Sequence, residues 1–215
     1  MIDPYHQIIV NTHIKRFHQM YSSYFNAPET RGLSDYFFER IYSLEDKNER
    51  DALAMKTYNR FKGMLSEKTR ERIEHLLYLN ELTDELDLQM AEVIQREPHY
   101  IETRDGVQTV IMKKLPKLYH EANSMVERTN QLKLVVQNLE SFFELSKHPM
   151  ADLVMKPAGL AARMVGAKKL FKVFEEGYHA TRPVRREVFF DFTRHVRDSE
   201  INFLEDVYKS KIHLV

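Results

Sequence analysis

Residues 33–42, with the sequence LSDYFFERIY, constrain the fold of this chain more than any other stretch. At 100° per residue, their apolar side chains surround a helix almost completely, and Asp35 and Glu39 leave one narrow polar edge. A short helix that is apolar nearly all round is typical of a protein core rather than of a surface. We therefore predict that residues 34–42 form a hub helix, which longer amphipathic helices surround.

The composition favours an ordered, helix-rich protein. The 215 residues are 43% hydrophobic and 30% charged, and include only 6 glycines and 7 prolines, which is unlike a disordered chain. The 32 basic and 32 acidic residues cancel, so the chain lacks the overall positive field on which non-specific nucleic-acid binding depends. Because cysteine is absent, disulfides and thiolate metal sites are excluded.

No targeting or membrane signal stands out in the sequence. No apolar run approaches the roughly 18 residues of a membrane span, and the N-terminus lacks the basic and then apolar stretches of a signal peptide. We therefore predict a cytoplasmic protein that binds neither membranes nor nucleic acid.

Apolar periodicity predicts an all-α chain. The predicted helices cover about residues 4–25, 49–62, 67–95, 118–146 (with a break near Asn123), 150–155, 158–165 (separated from the preceding helix by Pro157), 168–181 and 184–210. Residues 107–112 fit either a strand or a helix, and we predict a helical piece because no second strand candidate exists to pair with it. No repeat or linker appears. The prediction is one domain, residues 1–215, built as a bundle of about 7–9 helices around the hub helix.

Four short motifs follow one another in an order that resembles a known family. Residues 36–42 resemble an FFLEELY signature, residues 81–87 an LSEELD run, residues 156–160 a PAxLAGL run and residues 174–178 an FLExGF run. The chain is therefore similar, over about residues 5–208, to the FFLEELY-motif family of uncharacterised bacterial proteins. Tyr36 and Arg40 depart from the signature, in place of its first phenylalanine and its second glutamate. The resemblance implies a shared fold and no assigned activity.

Polar side chains interrupt the apolar faces of three predicted helices. A buried charge must be paired or hydrogen-bonded, because an uncompensated one costs several kcal/mol. We therefore predict that Arg197, on the apolar arc of the last helix, meets Asp84 or Asp87. Gln131 and Asn138 interrupt helix 118–146 in the same way. The full candidate cluster is Glu39, Asn80, Asp84, Asp87, Arg197 and Glu200.

Two interpretations of these polar residues remain open. They can form an internal network that fixes how the helices pack, or they can line a pocket for a small molecule or metal, to which His13 would add a further ligand. Outside such a pocket, His13 is a core histidine. Glu176 and His179 match one copy of a di-iron motif that needs two, and no phosphate loop or zinc motif is present. No cofactor or metal site is predicted.

The sequence thus supports two functional hypotheses. The first is a non-enzymatic helical protein that acts through protein partners or self-association, and a homodimer is one form that this could take. The second is a helical bundle that binds a small molecule or metal in an internal polar pocket, and that could be an enzyme.

Overall fold

A computed structural model describes residues 3–164 and 166–212, without the side chains of residues 154, 156, 158 and 161. Most of these residues are α-helical, which confirms the predicted all-α class. The elements are α1 (Pro4–Met20), α2 (Ser22–Phe25), α3 (Arg31–Tyr36), a π-helical turn (Phe37–Ile41), α4 (Lys47–Phe61), α5 (Glu67–Arg96), β1 (Ile101–Arg104), β2 (Val107–Val110), α6 (Leu115–Ala122), α7 (Met125–Lys147), α8 (Ala151–Met164), α9 (Lys168–Thr181) and α10 (Arg186–Tyr208).

Local sequence signals set several helix ends. The Asp3 carboxylate accepts hydrogen bonds from the Tyr5 and His6 amides and caps α1, and Pro4 fits the first helical position because it has no amide hydrogen to lose. Asn123 adopts a left-handed conformation, with φ 48°, between α6 and α7. This residue type tolerates that conformation, and the break falls where the sequence predicted it.

The chain forms two compact units. Unit 1 takes in the described residues up to Ser22, residues 78–136 and the described residues from Phe192 onward, and unit 2 takes in residues 23–77 and 137–191. The single-domain organisation stays a prediction.

Unit 1 holds the largest cluster of buried apolar side chains in the described part of the chain. Helices α1, α5, α6, α7 and α10 contribute to it, together with the hairpin. Its fully buried members are Ile9, Met90, Ile94, Tyr100, Val110 and Leu118. A second, smaller cluster joins α5 to α7 through Leu82, Leu86 and Leu134.

Strands β1 and β2 form an antiparallel hairpin, so the helical prediction for residues 107–112 is wrong. Asp105 and Gly106 both have positive φ, 50° and 78°, as a two-residue hairpin turn requires. Helix α1 completes the outer edge of β2. The Thr12 hydroxyl accepts a hydrogen bond from the Val110 amide at 2.8 Å, and Asn11 donates to the Gln108 carbonyl at 3.3 Å. The hairpin is therefore stabilised by a helix rather than by a third strand.

The hub helix belongs to unit 2 and is not the centre of the fold. It divides into α3 and the π-helical turn, and of its apolar side chains only Phe38 is buried, while Ile41 is exposed. Phe38 packs edge-on against Phe25 and Phe37. Since the largest described cluster lies in unit 1, the prediction of a central hub is wrong. Most apolar residues of this helix are half-buried, and its phenylalanines pack against aromatic residues that are close in sequence.

The rest of unit 2 packs around aromatic rings and one close approach. Phe143 stacks on Phe189, with 4.0 Å between ring centroids. A side chain on Gly177 of α9 would meet the Tyr36 ring at 2.5 Å, so glycine lets α3 and α9 pack closely. Helix α8 runs through Pro157, contrary to the predicted break. The proline is exposed, so water can bond the carbonyl that it leaves without a partner.

Candidate functional site

A cluster of polar side chains crosses the core of unit 1. We call it the buried polar cluster. Five helices supply its members, and Tyr21 directly follows α1. Most of these side chains are almost completely removed from solvent, so their charges act in a medium that screens them weakly. The cluster consists of His13, Arg16, Tyr21, Asp87, Tyr119, Arg128 and Glu200.

Asp87 is the centre of one half of the cluster. Its Oδ1 lies 3.4 Å from Arg128 Nη1 and 3.5 Å from His13 Nδ1. Arg128 also donates to the Leu86 carbonyl at 2.9 Å, and its guanidinium lies 4.9 Å from the centroid of the Tyr119 ring. His13 Nε2 and the Tyr119 hydroxyl are 3.0 Å apart. The Asp87 carboxylate is thus neutralised by an arginine that is itself held by a backbone carbonyl.

Glu200 is the centre of the other half. It accepts a hydrogen bond from Arg16 Nη1 at 2.8 Å and one from the Tyr21 hydroxyl at 2.7 Å. Burial and the Glu200 charge raise the pKa of Tyr21. Burial alone would lower the pKa of Arg16, but attraction to Glu200, Tyr119 and Tyr21, together with the hydrogen bond to Glu200, raises the pKa overall. Both groups therefore keep their ordinary protonation at neutral pH.

Aromatic rings join the two halves. The Arg16 guanidinium lies 4.1 Å from the centroid of the Phe203 ring, a distance at which the ring attracts a cation. Phe203 meets Tyr119 edge-on at 5.1 Å, and burial raises the pKa of Tyr119. The cluster is therefore one continuous arrangement of two arginine–carboxylate pairs separated by two rings.

The cluster has little capacity left for a ligand. Each carboxylate already contacts an arginine, which leaves no net charge among the four ionised groups. In the described part of the chain, no three His, Asp or Glu side chains are grouped so that they could hold a metal ion. One donor stands out, because the buried Arg16 Nη2 makes no hydrogen bond. Arg16 as a whole is only 5% exposed, and an unsatisfied buried donor costs free energy.

The structure brings together two of the six predicted cluster residues. Asp87 and Glu200 both belong to the buried polar cluster, although to opposite halves of it. Asn80 and Asp84 are half-buried on α5, and Glu39 is exposed in unit 2. Arg197 is exposed and pairs with Asp198 at 2.9 Å.

The predicted contact of Arg197 with Asp84 or Asp87 is therefore wrong. The buried stripe of α10 runs through Thr193, Val196 and Leu204, and Arg197 lies at its edge, where a long side chain reaches water. The arginine that pairs with Asp87 is Arg128 instead.

The sequence pattern did not identify four residues of the cluster: Arg16, Tyr21, Tyr119 and Arg128. Helical spacing carried a signal for two of them. Arg16 follows His13 by three positions, and Arg128 precedes Gln131 by three, so each shares a helix face with a polar residue that the apolar periodicity already marked. Gln131 accepts a hydrogen bond from Arg128 at 3.1 Å. No comparable signal marked the two tyrosines, because a tyrosine on an apolar face is ordinary.

Helix α8 carries the second notable feature of the described chain, an exposed apolar face. Leu153, Leu160 and Met164 are 65%, 62% and 88% exposed. Their spacing of seven and four residues puts them on one side of the helix. Residues 153–174 contain no acidic residue, whereas five basic ones occur in them: Lys156, Arg163, Lys168, Lys169 and Lys172. We call the side chains of Leu153, Leu160, Arg163 and Met164, together with Lys168 at the start of α9, the α8 face.

Only some of the basic side chains near α8 form ion pairs within the described part of the chain. Lys169 pairs with Glu49 and Lys172 with Glu176. Arg163 and Lys168 form no ion pair within the described ranges. Further along the chain, three arginines between α9 and the start of α10 each meet a carboxylate; the pairs are Arg182–Asp152, Arg185–Glu29 and Arg186–Glu144.

A family model described as a domain of unknown function, DUF8198, matches residues 7–213. No curated protein and no solved structure is significantly similar to the chain. Within the described ranges, no helix is both long enough and apolar enough to cross a membrane.

Proposed function

Because the chain belongs to the family described as a domain of unknown function, DUF8198, we propose its function from geometry alone. The protein is a non-enzymatic helical protein that acts by binding another protein chain through the α8 face.

The exposure of the α8 face is the observation that carries this proposal. Three large apolar side chains stand in water on a single helix, and burying such surface is favourable by about 25 cal/mol per Å². Apolar patches on protein surfaces often mark interaction sites. The adjacent cations, Arg163 and Lys168, add a polar rim that gives specificity for an acidic partner.

The buried polar cluster supports the non-enzymatic part of the proposal. A catalytic group must reach a reacting atom, but Asp87 and Arg128 are almost completely buried and already contact each other. Glu200 is engaged by both Arg16 and Tyr21. Charged side chains whose partners all lie within the core are typical of an internal network that fixes helix packing.

A photo-crosslinking experiment tests this function directly. Since the chain has no cysteine, a Leu160→Cys variant can carry one maleimide-linked benzophenone on the α8 face. A Ser141→Cys variant serves as the matched control, because Ser141 is exposed on α7 of the same unit. Each labelled protein is irradiated in cell extract and separately as purified protein.

We expect protein adducts from position 160 in extract, in purified protein or in both, at several times the yield from position 141. Equal yields from the two positions under both conditions would show that the α8 face is ordinary surface and would contradict the proposal.

A second candidate function rests on Arg16 Nη2. A small polar molecule that accepts a hydrogen bond from this buried donor would satisfy it. Native mass spectrometry of the purified protein tests this alternative. A bound mass that is present in wild type and lost in Arg16→Lys would support a ligand site, whereas a ligand-free spectrum would favour an ordered water at this donor.

A further inference from the structure

We propose that the α8 face binds the exposed acidic face of α5 in a second copy of this chain, an inference that rests on the proposed function. The acidic face consists of Tyr78, Glu81, Glu85, Leu88 and Glu92. Each copy carries both surfaces, so the chain supplies its own partner.

Within α5, residues 73–95 carry charges opposite in sign to those of residues 153–174. Residues 73–95 contain no lysine or arginine and six acidic residues: Glu74, Glu81, Asp84, Glu85, Asp87 and Glu92. The spacing of Glu81, Glu85 and Glu92 puts these three on one side of the helix, where all three are exposed. They form no ion pair with any cation of the described chain. The zero net charge of the whole molecule thus conceals two helix faces of opposite sign.

The acidic face also exposes apolar surface. Tyr78 is 48% exposed and Leu88 is 39% exposed. Ten residues separate them, which is about 15 Å along a helix. Leu153 and Met164 are eleven residues apart on α8, or about 17 Å. Two apolar positions at matching separation, flanked by opposite charges, are what two helices need in order to pack face to face.

A second copy is the occupant that these observations favour. Both faces are exposed in one copy of the chain, so each is available to another molecule. Charges of opposite sign attract during the encounter and specify the orientation of the complex, whereas two α8 faces would bring cations together. Because the two faces differ, each copy uses one surface to bind and the other to be bound.

Reciprocal charge reversal tests this inference. One variant carries Glu81→Lys and Glu85→Lys on α5, and a second carries Arg163→Glu and Lys168→Glu near α8. The control variant carries Glu67→Lys and Glu71→Lys, two exposed positions of α5 outside the acidic face. Sedimentation velocity over a concentration series gives the self-association constant of each purified protein, and far-UV circular dichroism checks that each variant is folded.

We expect wild type and control to associate with similar constants, and each reversed variant to associate at least roughly tenfold more weakly, because each replaces attraction with repulsion. An equimolar mixture of the two reversed variants should associate again, since the lysines on α5 of one meet the glutamates near α8 of the other. If a reversed variant fails to fold, Glu81→Gln with Glu85→Gln replaces it, and a weaker version of the same loss is expected.

Three outcomes would overturn the inference. Wild type that remains monomeric at all concentrations excludes a second copy as the partner, and adducts from position 160 with another protein would then leave the proposed function standing. Loss in the Arg163→Glu, Lys168→Glu variant without recovery in the mixture excludes the acidic face of α5. Binding of monomeric wild type to phosphatidylserine vesicles, abolished in that same variant, would assign the α8 face to anionic lipid and would contradict the proposed function as well.

Discussion

Asp87 lies within 3.5 Å of both His13 and Arg128, although it interrupts one of the most apolar stretches of the chain. Its neighbours Leu86 and Met90 are fully buried. A carboxylate in that position is tolerated only because a cation accompanies it. Removing either side chain of the pair should therefore destabilise the protein strongly.

Replacing Arg128 with methionine tests this expectation. Arg128→Met leaves the Asp87 carboxylate without its arginine, and breaking a buried pair from one side typically costs about 3–5 kcal/mol. Adding Asp87→Asn should recover part of the loss, because contacting sites are not additive. Urea unfolding measures the free energy of each variant.

Arg197→Met is the matched control for this cycle. Because Arg197 is exposed, its replacement should change the free energy of unfolding by less than about 0.5 kcal/mol. Losses from Arg128→Met and Asp87→Asn that simply add would show that the two side chains are not coupled.

Ionisation of Tyr100 should make unit 1 less stable at alkaline pH. Burial, followed by its hydrogen bond to Glu121, raises the pKa of Tyr100 to about 12. The unfolded value is about 10. A raised folded pKa means that the stabilisation is fully present below about pH 10 and is lost as pH rises towards about 12.

Tyr100→Phe has no proton to lose, so its free energy of unfolding should fall less than that of wild type between pH 8 and pH 11.5. The pKa of Glu121, which is lowered chiefly by the same hydrogen bond, should rise and be visible by NMR titration. An identical alkaline loss in both proteins would show that Tyr100 ionises as an exposed tyrosine does.

At the scale of elements, helix α1 connects to the hairpin through Thr12. Its hydroxyl accepts a hydrogen bond from the Val110 amide and donates one to the Ile8 carbonyl at 2.6 Å. Both Thr12 and Val110 are completely buried. No water can therefore replace the hydroxyl without a rearrangement.

Thr12→Val keeps the shape of the side chain and removes the acceptor. An unsatisfied buried amide costs about 1–3 kcal/mol, so we expect a loss of that size in urea unfolding, with faster hydrogen exchange at the Val110 amide. Thr12→Ser keeps the hydroxyl and should retain the protection of this amide. If the Val110 amide exchanges at the same rate in both variants, the hairpin does not depend on its hydrogen bond to Thr12.

The sequence was most informative where periodicity and capping agreed. Helix α9 has the predicted bounds, and the break at Asn123 was foreseen, because both depend on neighbours within one turn. The hairpin was missed because β2 pairs with a strand, residues 101–104, whose sequence IETR carries no alternating apolar pattern. Its outer edge is completed by residues about 97 positions away in sequence, which no local pattern records.

The same distinction between local and distant information applies to the residues of the buried polar cluster. A charge on an apolar face indicates that a partner exists, and Asp87 and Glu200 were found in this way. It does not identify the partner, because several helices can present an arginine to the same carboxylate. Arg128 and Arg16 were therefore missed, and Arg197 was chosen instead. The exposed apolar face of α8 could not be foreseen, because apolar residues at helical spacing usually indicate a core.

At the scale of the whole molecule, composition alone conceals the feature that our proposals depend on. Equal numbers of acidic and basic residues give no overall field, yet residues 73–95 and residues 153–174 each carry charges of one sign. Such segregation favours ordered association between unlike surfaces over non-specific aggregation. It also makes association sensitive to salt, because contacts between exposed charges are screened within about 10 Å at 0.1 M ionic strength.

Mapping the contact made by the α8 face tests our central claim most directly. Leu160→Cys protein that carries benzophenone is mixed with an equal amount of ¹⁵N-enriched protein that carries none. The mixture is irradiated and digested. A crosslink to a ¹⁵N peptide can then arise only between two copies of the chain. We expect these crosslinks to fall on residues 78–92 and to decrease in the Glu81→Lys, Glu85→Lys background. Crosslinks that are absent from ¹⁵N peptides, or that fall outside residues 78–92, would contradict the claim that the α8 face binds the acidic face of a second copy.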